Sequence, residues 1–178
     1  MKTTLGFAHV LALASYAGVM NAVETYVSTQ ETPGQRNYPI DDHGKLRYQY
    51  FSVPAANLLA IGDDGSTALL CKLPPGRTRV LPWLSRVSGL AFGSSRTLDI
   101  GHLAYQTRDD AGATLEAANY EAFLANLDVS GAVNAVAFST VLKYDLYSKT
   151  EVQVAARIQG GTWPQTAAIS GFIAYLYE

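Results

Sequence analysis

The chain has 178 residues, of which 48% are hydrophobic and only 16% are charged, and its formal net charge is −2. This length allows one ordinary domain with a hydrophobic core and an additional segment. Because typical soluble domains are roughly 25% charged, much of the surface must be uncharged. A duplex-binding protein normally carries a clustered basic surface, so the composition argues against nucleic acid as a partner.

The N-terminal segment is apolar: no Asp, Glu, Lys or Arg occurs from Thr3 to Ala22. The pattern resembles a secretory signal, and its length of about 20 residues is near the lower limit for a membrane span. Polar residues interrupt the run and no basic flank follows it, so we do not expect a membrane partner. Because such a segment is too apolar to lie free in water, we expect it to pack against its own domain or against neighbouring chains.

The segment from Glu24 to Asn37 is polar and contains Pro33-Gly34, a turn or linker signal. We therefore place a boundary here, with an N-terminal apolar arm and linker over residues 1–37 and a folded domain over residues 38–178.

The folded domain opens with short predicted strands. The sequence LRYQYFSV, from Leu46 to Val53, alternates and predicts a strand. A hairpin is predicted next, because Gly62-Asp63-Asp64-Gly65 is a turn sequence between the apolar runs Leu58–Ile61 and Thr67–Leu70.

The stretch from Leu69 to Tyr105 contains three or four short strands, and a meander is its simplest arrangement. Pro74-Pro75-Gly76 cannot continue a ladder, and Gly93-Ser94-Ser95 is a flexible turn. The predicted strands are Leu69–Leu73, Arg77–Leu81, Val87–Phe92 and Thr97–Tyr105. In the last of them we expect a bulge at Gly101 that turns His102 away from the core.

The single cysteine, Cys71, excludes an internal disulfide. It follows two leucines in an apolar run, where a small buried hydrophobic residue would fit. A reactive thiol would need a neighbouring base, and the chain has only three histidines. The sequence therefore predicts a core cysteine.

One short helix is predicted near Asn119–Leu127, after a polar loop. Tyr120, Phe123, Leu124 and Leu127 recur at i, i+3, i+4 and i+7. Asn119 can cap this helix, and a longer version could begin at Thr114.

The remainder is predicted to be β: Ala132–Leu142, Thr150–Gln159 and Ile169–Tyr177. The second of these strands alternates cleanly, whereas the last is apolar on both faces. A strand of the latter kind is central and covered on both sides, or part of a subunit interface. Roughly eight to ten strands at regular spacing predict an all-β antiparallel β-sandwich of jelly-roll type, with one short helix and an N-terminal arm.

Several residue groups could form chemical sites, and each has a simpler structural explanation. Asp99 and His102 lack the Gly-x-Ser-x-Gly elbow that would supply a nucleophile. Asp41-Asp42-His43 is typical of a turn before a glycine, and Asp63-Asp64 lacks the ligand spacing of a calcium loop.

The remaining groups are aromatic or basic. Trp83 and Trp163 each adjoin a proline and could form a sugar-stacking platform, but they more often anchor a turn or interface. Arg77, Arg79 and Arg86 are expected to be solvated strand charges and not a phosphate site. We predict no catalytic residue, no cofactor-binding residue, no metal ligand and no enzyme activity.

The order of these elements resembles the jelly-roll head proteins of tailed bacteriophages, which are small decoration or cement proteins. The likeness covers about Leu58–Glu178. It is carried by Leu73-Pro74-Pro75-Gly76 with its following strand, Thr97-Leu98-Asp99-Ile100-Gly101, Tyr120-Glu121-Ala122-Phe123-Leu124 leading into Leu127-Asp128-Val129-Ser130, and the final strand pair.

The resemblance implies a non-enzymatic virion protein on the outer surface of the capsid. Its implied partners are the major capsid protein and further copies of itself, as a homo-oligomer that is a dimer or trimer. Two alternatives stay open: a secreted or surface β-sandwich binding module, lectin-like, with a cleaved signal peptide, and a phage tail or neck protein.

Overall fold

The fold is taken from a computed structural model of the chain, which describes residues 25–27, 46–55, 64–107, 114–139, 144–164 and 166–177. These residues form thirteen strands and a 3-10 turn at Pro82–Leu84. None of their helices is long and apolar enough to cross a membrane. The strands are β1 (Thr25–Val27), β2 (Leu46–Val53), β3 (Thr67–Leu73), β4 (Gly76–Val80), β5 (Arg86–Gly89), β6 (Thr97–His102), β7 (Tyr105–Gln106), β8 (Leu115–Glu116), β9 (Asn119–Asp128), β10 (Val133–Ala137), β11 (Tyr144–Ser148), β12 (Val152–Gln159) and β13 (Ile169–Tyr177).

Two sheets contain all the longer strands. Sheet I has the order β1-β3-β12-β6-β9, and its pairs are antiparallel except for β1 with β3. In sheet II, β13 pairs with β2 on one side and with β4 and β5 on the other. β4 pairs in turn with β11, and β5 pairs with β10. When β4 with β5 and β10 with β11 are each counted as one strand, consecutive long strands lie in different sheets, except β6 and β9. This connectivity is that of a jelly roll, in which β4 with β5 and β10 with β11 are two interrupted strands.

The hydroxyl group of Ser85 bridges the interruption between β4 and β5 by hydrogen bonds. The Ser85 hydroxyl donates to the Leu81 carbonyl at 3.0 Å and accepts the Ala174 backbone N–H at 3.0 Å. The Leu81 N–H in turn donates to the Ala174 carbonyl at 2.8 Å. Because these groups are buried, the side chain replaces a ladder hydrogen bond that the turn removes.

The hydrophobic core lies between the two sheets. Sheet I contributes Leu70, Leu98, Ile100 and Phe123, and sheet II contributes Phe51, Val80, Val87, Leu146 and Ile173, among other buried residues. Trp163 and Phe92 pack edge to face in this core, with ring centroids 5.2 Å apart. Cys71 is fully buried, which confirms the prediction of a core cysteine.

The expected meander is wrong. The chain crosses from β3 in sheet I to β4 and β5 in sheet II, and then returns to β6 in sheet I. Pro74-Pro75-Gly76 ends β3 as predicted, but the turn leads to the other sheet. Turn residues identify where a strand stops. The strand with which it pairs depends on contacts between residues that are far apart in the sequence, which turn residues do not reveal.

The predicted helix at Asn119–Leu127 is also wrong, because this segment is strand β9. In the pairing of β6 with β9, Leu98 is opposite Leu127 and Ile100 is opposite Leu124. One residue separates the two positions on β6, but two separate them on β9, so β9 has a bulge there. Asn126, within the bulge, has a positive φ of 53°. Such bulges shift the two-residue alternation, so the apolar residues fall at helical spacing by coincidence. The predicted cap, Asn119, does accept a backbone N–H, that of Glu121, at 3.1 Å.

The bulge expected at Gly101 lies on the partner strand instead. β6 keeps an unbroken register with β12, in which Gly101 is paired with Ala155 and His102 with Val154. Strict alternation therefore holds and His102 is fully buried, not exposed. Gly101 is needed because a Cβ there would lie 1.9 Å from the Asn119 carbonyl oxygen.

Most other predicted strands are confirmed, with small changes in their ends. β2 and β13 match their predictions, and β12 begins two residues later than expected. β13 lies inside sheet II, which confirms the central position, but its outer face is not covered within the described residues: Ser170 is exposed and Phe172 and Leu176 are partly exposed. The subunit-interface alternative stays a prediction. Of the described residues of the predicted strand Ala132–Leu142, Val133–Ala137 form a strand, and residues 140–142 lie outside the described residues. The strand β11 is additional to the predicted strands.

Some predictions lie outside the described residues. They include the strand Leu58–Ile61, the Asp41-Asp42-His43 turn and most of the arm and linker. Residues 25–27 belong to the predicted arm and linker, and they form β1 beside β3.

Candidate functional site

A buried polar network occupies the outer side of sheet I. Asp99 is fully buried, and its carboxylate accepts the Asn126 N–H at 2.8 Å and an Arg157 guanidinium N–H at 2.8 Å. The Gln159 amide also donates to this carboxylate. Arg157 additionally pairs with Glu121 at 3.1 Å. Because the charge is compensated on every side, the arrangement is typical of a structural site.

A second polar group lies between the sheets, at His102. Its Nδ1 is 3.0 Å from the Leu103 carbonyl oxygen and its Nε2 is 3.2 Å from the Tyr144 hydroxyl. Since a carbonyl oxygen can only accept, Nδ1 carries the proton and Nε2 accepts from Tyr144. The ring also packs against Tyr105 and Phe123. Burial lowers the pKa of His102, so the neutral form is favoured.

Asp99 and His102 do not form a catalytic pair. They are three residues apart on a regular strand, so their side chains leave opposite faces of sheet I. The hydrogen-bond partners described above for the two side chains do not overlap. A base and its orienting carboxylate must be within hydrogen-bond reach, and this pair is not arranged in that way.

The metal hypotheses find no ligand cluster in the part of the chain that the structure describes. There, no three His, Cys, Asp or Glu side chains are grouped as metal ligands would be. Asp64, the described half of the Asp63-Asp64 pair, accepts the Gly160 N–H at 2.9 Å and so ties two turns together.

The two tryptophans do not form a joint platform. Trp163 is completely buried, whereas Trp83 is 43% exposed on the 3-10 turn. The three arginines lie on sheet II: Arg79 pairs with Asp145 at 2.7 Å, and Arg86 donates to the Trp83 and Ser85 carbonyls. Arg77 is exposed on β4.

The largest feature that sequence analysis missed is the outer face of sheet II along β2 and β13. Tyr48 and Tyr50 are 43% and 52% exposed, and both pack against Phe172, with ring centroids 5.4 and 5.7 Å from it. Leu46 and Leu176 are paired at the end of the same face. We call this set, Leu46, Tyr48, Tyr50, Phe172 and Leu176, the aromatic face. Contiguous exposed apolar groups are typical of interaction surfaces.

A signal for this face was present in the sequence. β2 alternates, but its outward positions carry tyrosines where a solvated strand would carry charged residues. The strand was recognised correctly, whereas the apolar character of its second face was not used.

Comparison with known proteins supports the fold. No family model and no curated protein matches the chain. A chain from the capsid of Ralstonia phage GP4 is 18% identical, with a TM-score of 0.58, and the match covers 86% of this chain and 98% of that chain. A chain from the Cyanophage Pam1 capsid asymmetric unit is 16% identical over 81% of this chain and 95% of that chain, with a TM-score of only 0.45. At this identity the first likeness shows a shared fold, and it confirms the all-β, jelly-roll-like class.

Proposed function

We propose that this chain is a structural protein of a phage virion, namely a decoration or cement subunit that binds the major capsid protein on the outer surface of the capsid. The observation that carries the proposal is the shared fold with a chain of the Ralstonia phage GP4 capsid. The match includes 98% of that chain, so it extends over a whole subunit and not over one motif.

The described side chains are compatible with a role in assembly. The buried polar groups, Asp99 and His102, are engaged in internal hydrogen bonds, whereas the aromatic face is apolar and exposed. Function on this proposal is binding without chemistry, so the surface matters more than any cleft.

The proposal includes two parts that concern assembly. Residues 1–37 act as an attachment arm and linker, and residues 38–178 act as the body. The protein works as a homo-oligomer, a dimer or trimer, because several weak contacts on one shell add up through avidity.

The direct test is location in the natural particle. Particles are purified, heads are separated from tails, and an antibody against the folded domain is applied to intact heads. We expect the protein in the head fraction and labelling of the outer surface. Recovery in tails supports the tail or neck alternative, and recovery outside particles without residues 1–22 supports the secreted binding module.

A further inference from the structure

The outward positions of sheet II differ in charge from the rest of the chain. Among the described strand residues, the charged outward side chains are Arg77, Arg79, Arg86 and Asp145, and neither Lys nor Glu occurs there. Three arginines and one aspartate give this face a net charge of +2, although the whole chain has −2. The remainder of the chain therefore carries −4, and the positive charge is concentrated beside the aromatic face.

The arginines and the aromatic face form one continuous surface. In the strand register, Phe172 is paired with Arg86 and Leu176 with Arg79. Tyr147, 47% exposed on β11, is paired with Arg77 and extends the surface across the sheet. Tyrosine, tryptophan and arginine are the residues most enriched at binding hot spots, and lysine and glutamate are depleted there.

Sheet I does not offer a comparable surface. Its strands carry the cations Lys72 and Arg157 and the carboxylates Asp99, Glu121 and Asp128, so their net charge is −1 and not positive.

β2 adds a second property to the surface on sheet II. Within the described residues it pairs only with β13, so it is an edge strand there. Its outward positions, Leu46, Tyr48, Tyr50 and Ser52, bear no charge and are mostly apolar or aromatic. Natural proteins normally protect such an edge or use it for binding.

We propose that the outer face of sheet II is the docking surface for the capsid shell, and that its partner is an acidic protein surface with an apolar depression for the tyrosines. This inference rests on the proposed function and names the surface and partner chemistry for it. Complementary charge speeds association with an acidic partner and disfavours basic ones. Burial of Tyr48 and Tyr50 contributes most of the binding energy.

The test uses full-length protein and shells assembled from the major capsid protein of the same genome, without this chain. Binding is measured by co-sedimentation over a range of salt concentrations. The variants are Tyr48→Ser/Tyr50→Ser and Arg77→Gln, and circular dichroism and melting verify that each is folded. The matched controls are Leu115→Ser, which removes an exposed apolar residue from β8, and Lys72→Gln, which removes a cation from sheet I.

We expect the tyrosine variant to bind at least about tenfold more weakly, which is typical for the loss of interface anchors. Arg77→Gln should weaken binding and reduce its salt dependence, because one screened charge contact is lost. Both controls should bind as the original protein does.

Three outcomes overturn the inference in distinguishable ways. If the original protein binds shells and the sheet II variants bind equally well, the docking surface is elsewhere and the proposed function stands. If the original protein does not bind shells, the proposed function fails with it. If the tyrosine variant changes only the oligomer size in sedimentation, the surface joins copies of this chain.

Discussion

At the scale of single residues, Asp99 is the clearest structural anchor. Replacing it with alanine leaves the Asn126 N–H and Arg157 without their carboxylate. Because breaking a buried ion pair is strongly destabilising, we expect Asp99→Ala to lower the free energy of unfolding by about 3 kcal/mol in urea denaturation.

The matched control is Glu121→Ala, which removes the exposed partner of the same arginine. Exposed pairs contribute little, so the change should stay within about 1 kcal/mol. Equal losses in the two variants would contradict the structural role assigned to the buried carboxylate.

His102 gives stability a defined pH dependence. Its pKa is lowered in the folded protein by burial, from an ordinary value of 6.5. The unfolded chain therefore binds more protons, and stability falls as pH drops below about 6.5 toward the depressed folded pKa. The hydrogen bond to Leu103 and the charge of Glu116 raise the pKa of His102, but burial is the largest effect, so the sign is not reversed. The pKa values of Tyr105 and Tyr144 are raised by burial, so both side chains stay neutral between pH 5 and pH 7.

We expect the melting temperature to fall between pH 7 and pH 5, and to fall less in His102→Gln. A double variant, His9→Gln/His43→Gln, serves as the control and should keep the full dependence. If the control loses the dependence while His102→Gln retains it, the titrating group is not His102.

At the scale of strands, the close approach of β6 and β9 depends on Gly101. A Cβ there would lie 1.9 Å from the Asn119 oxygen and 2.7 Å from the Tyr120 Cα, both backbone atoms that cannot move alone. We expect Gly101→Ala to cost at least about 3 kcal/mol of stability, measured by thermal or urea unfolding, because the strands must separate.

Gly131→Ala is the matched control, because a Cβ at that position meets nothing within 4 Å. It should be neutral or slightly stabilising. A Gly101→Ala variant as stable as this control would show that β9 can move aside.

The same strands show what the sequence could and could not predict. β12 was predicted with its correct inward residues, because Val152, Val154, Ala156 and Ile158 alternate without interruption. β9 was mistaken for a helix, because its bulges reproduce a helical spacing.

The candidate surface was missed for a different physical reason. Alternation tells which residues of β2 share a face, but not whether the second face meets solvent or a partner. Tyr50 and Phe172 become neighbours only through the pairing of β2 with β13, which are more than 100 residues apart.

At the scale of the whole molecule, the boundary at residue 37 can be tested by deletion. The body contains the core and both sheets except for β1, so we expect a protein lacking residues 1–37 to remain folded with a β-type circular dichroism spectrum. It should be less stable than a protein lacking residues 1–23, because only the longer deletion removes β1 from the edge of β3.

Melting temperature and sedimentation measure both effects. An unfolded product from the longer deletion would show that residues before 38 belong to the domain. Identical melting of the two truncated proteins would show that β1 adds nothing to the edge of sheet I.

The position of β13 has a consequence for biosynthesis. The last strand of the chain lies in the middle of sheet II, and 115 residues separate its first residue, Ile169, from Val53 at the end of β2. At about 5–20 residues per second, a ribosome needs roughly 6–23 s to make that interval. Throughout it, nascent β2 exposes apolar side chains and an unpaired backbone, and all the longer strands of sheet I are synthesised in this interval, before β13. Sheet II can therefore close only after Ile169–Tyr177 has been made, and a chain that terminates before Ile169 leaves β2 available to other nascent chains.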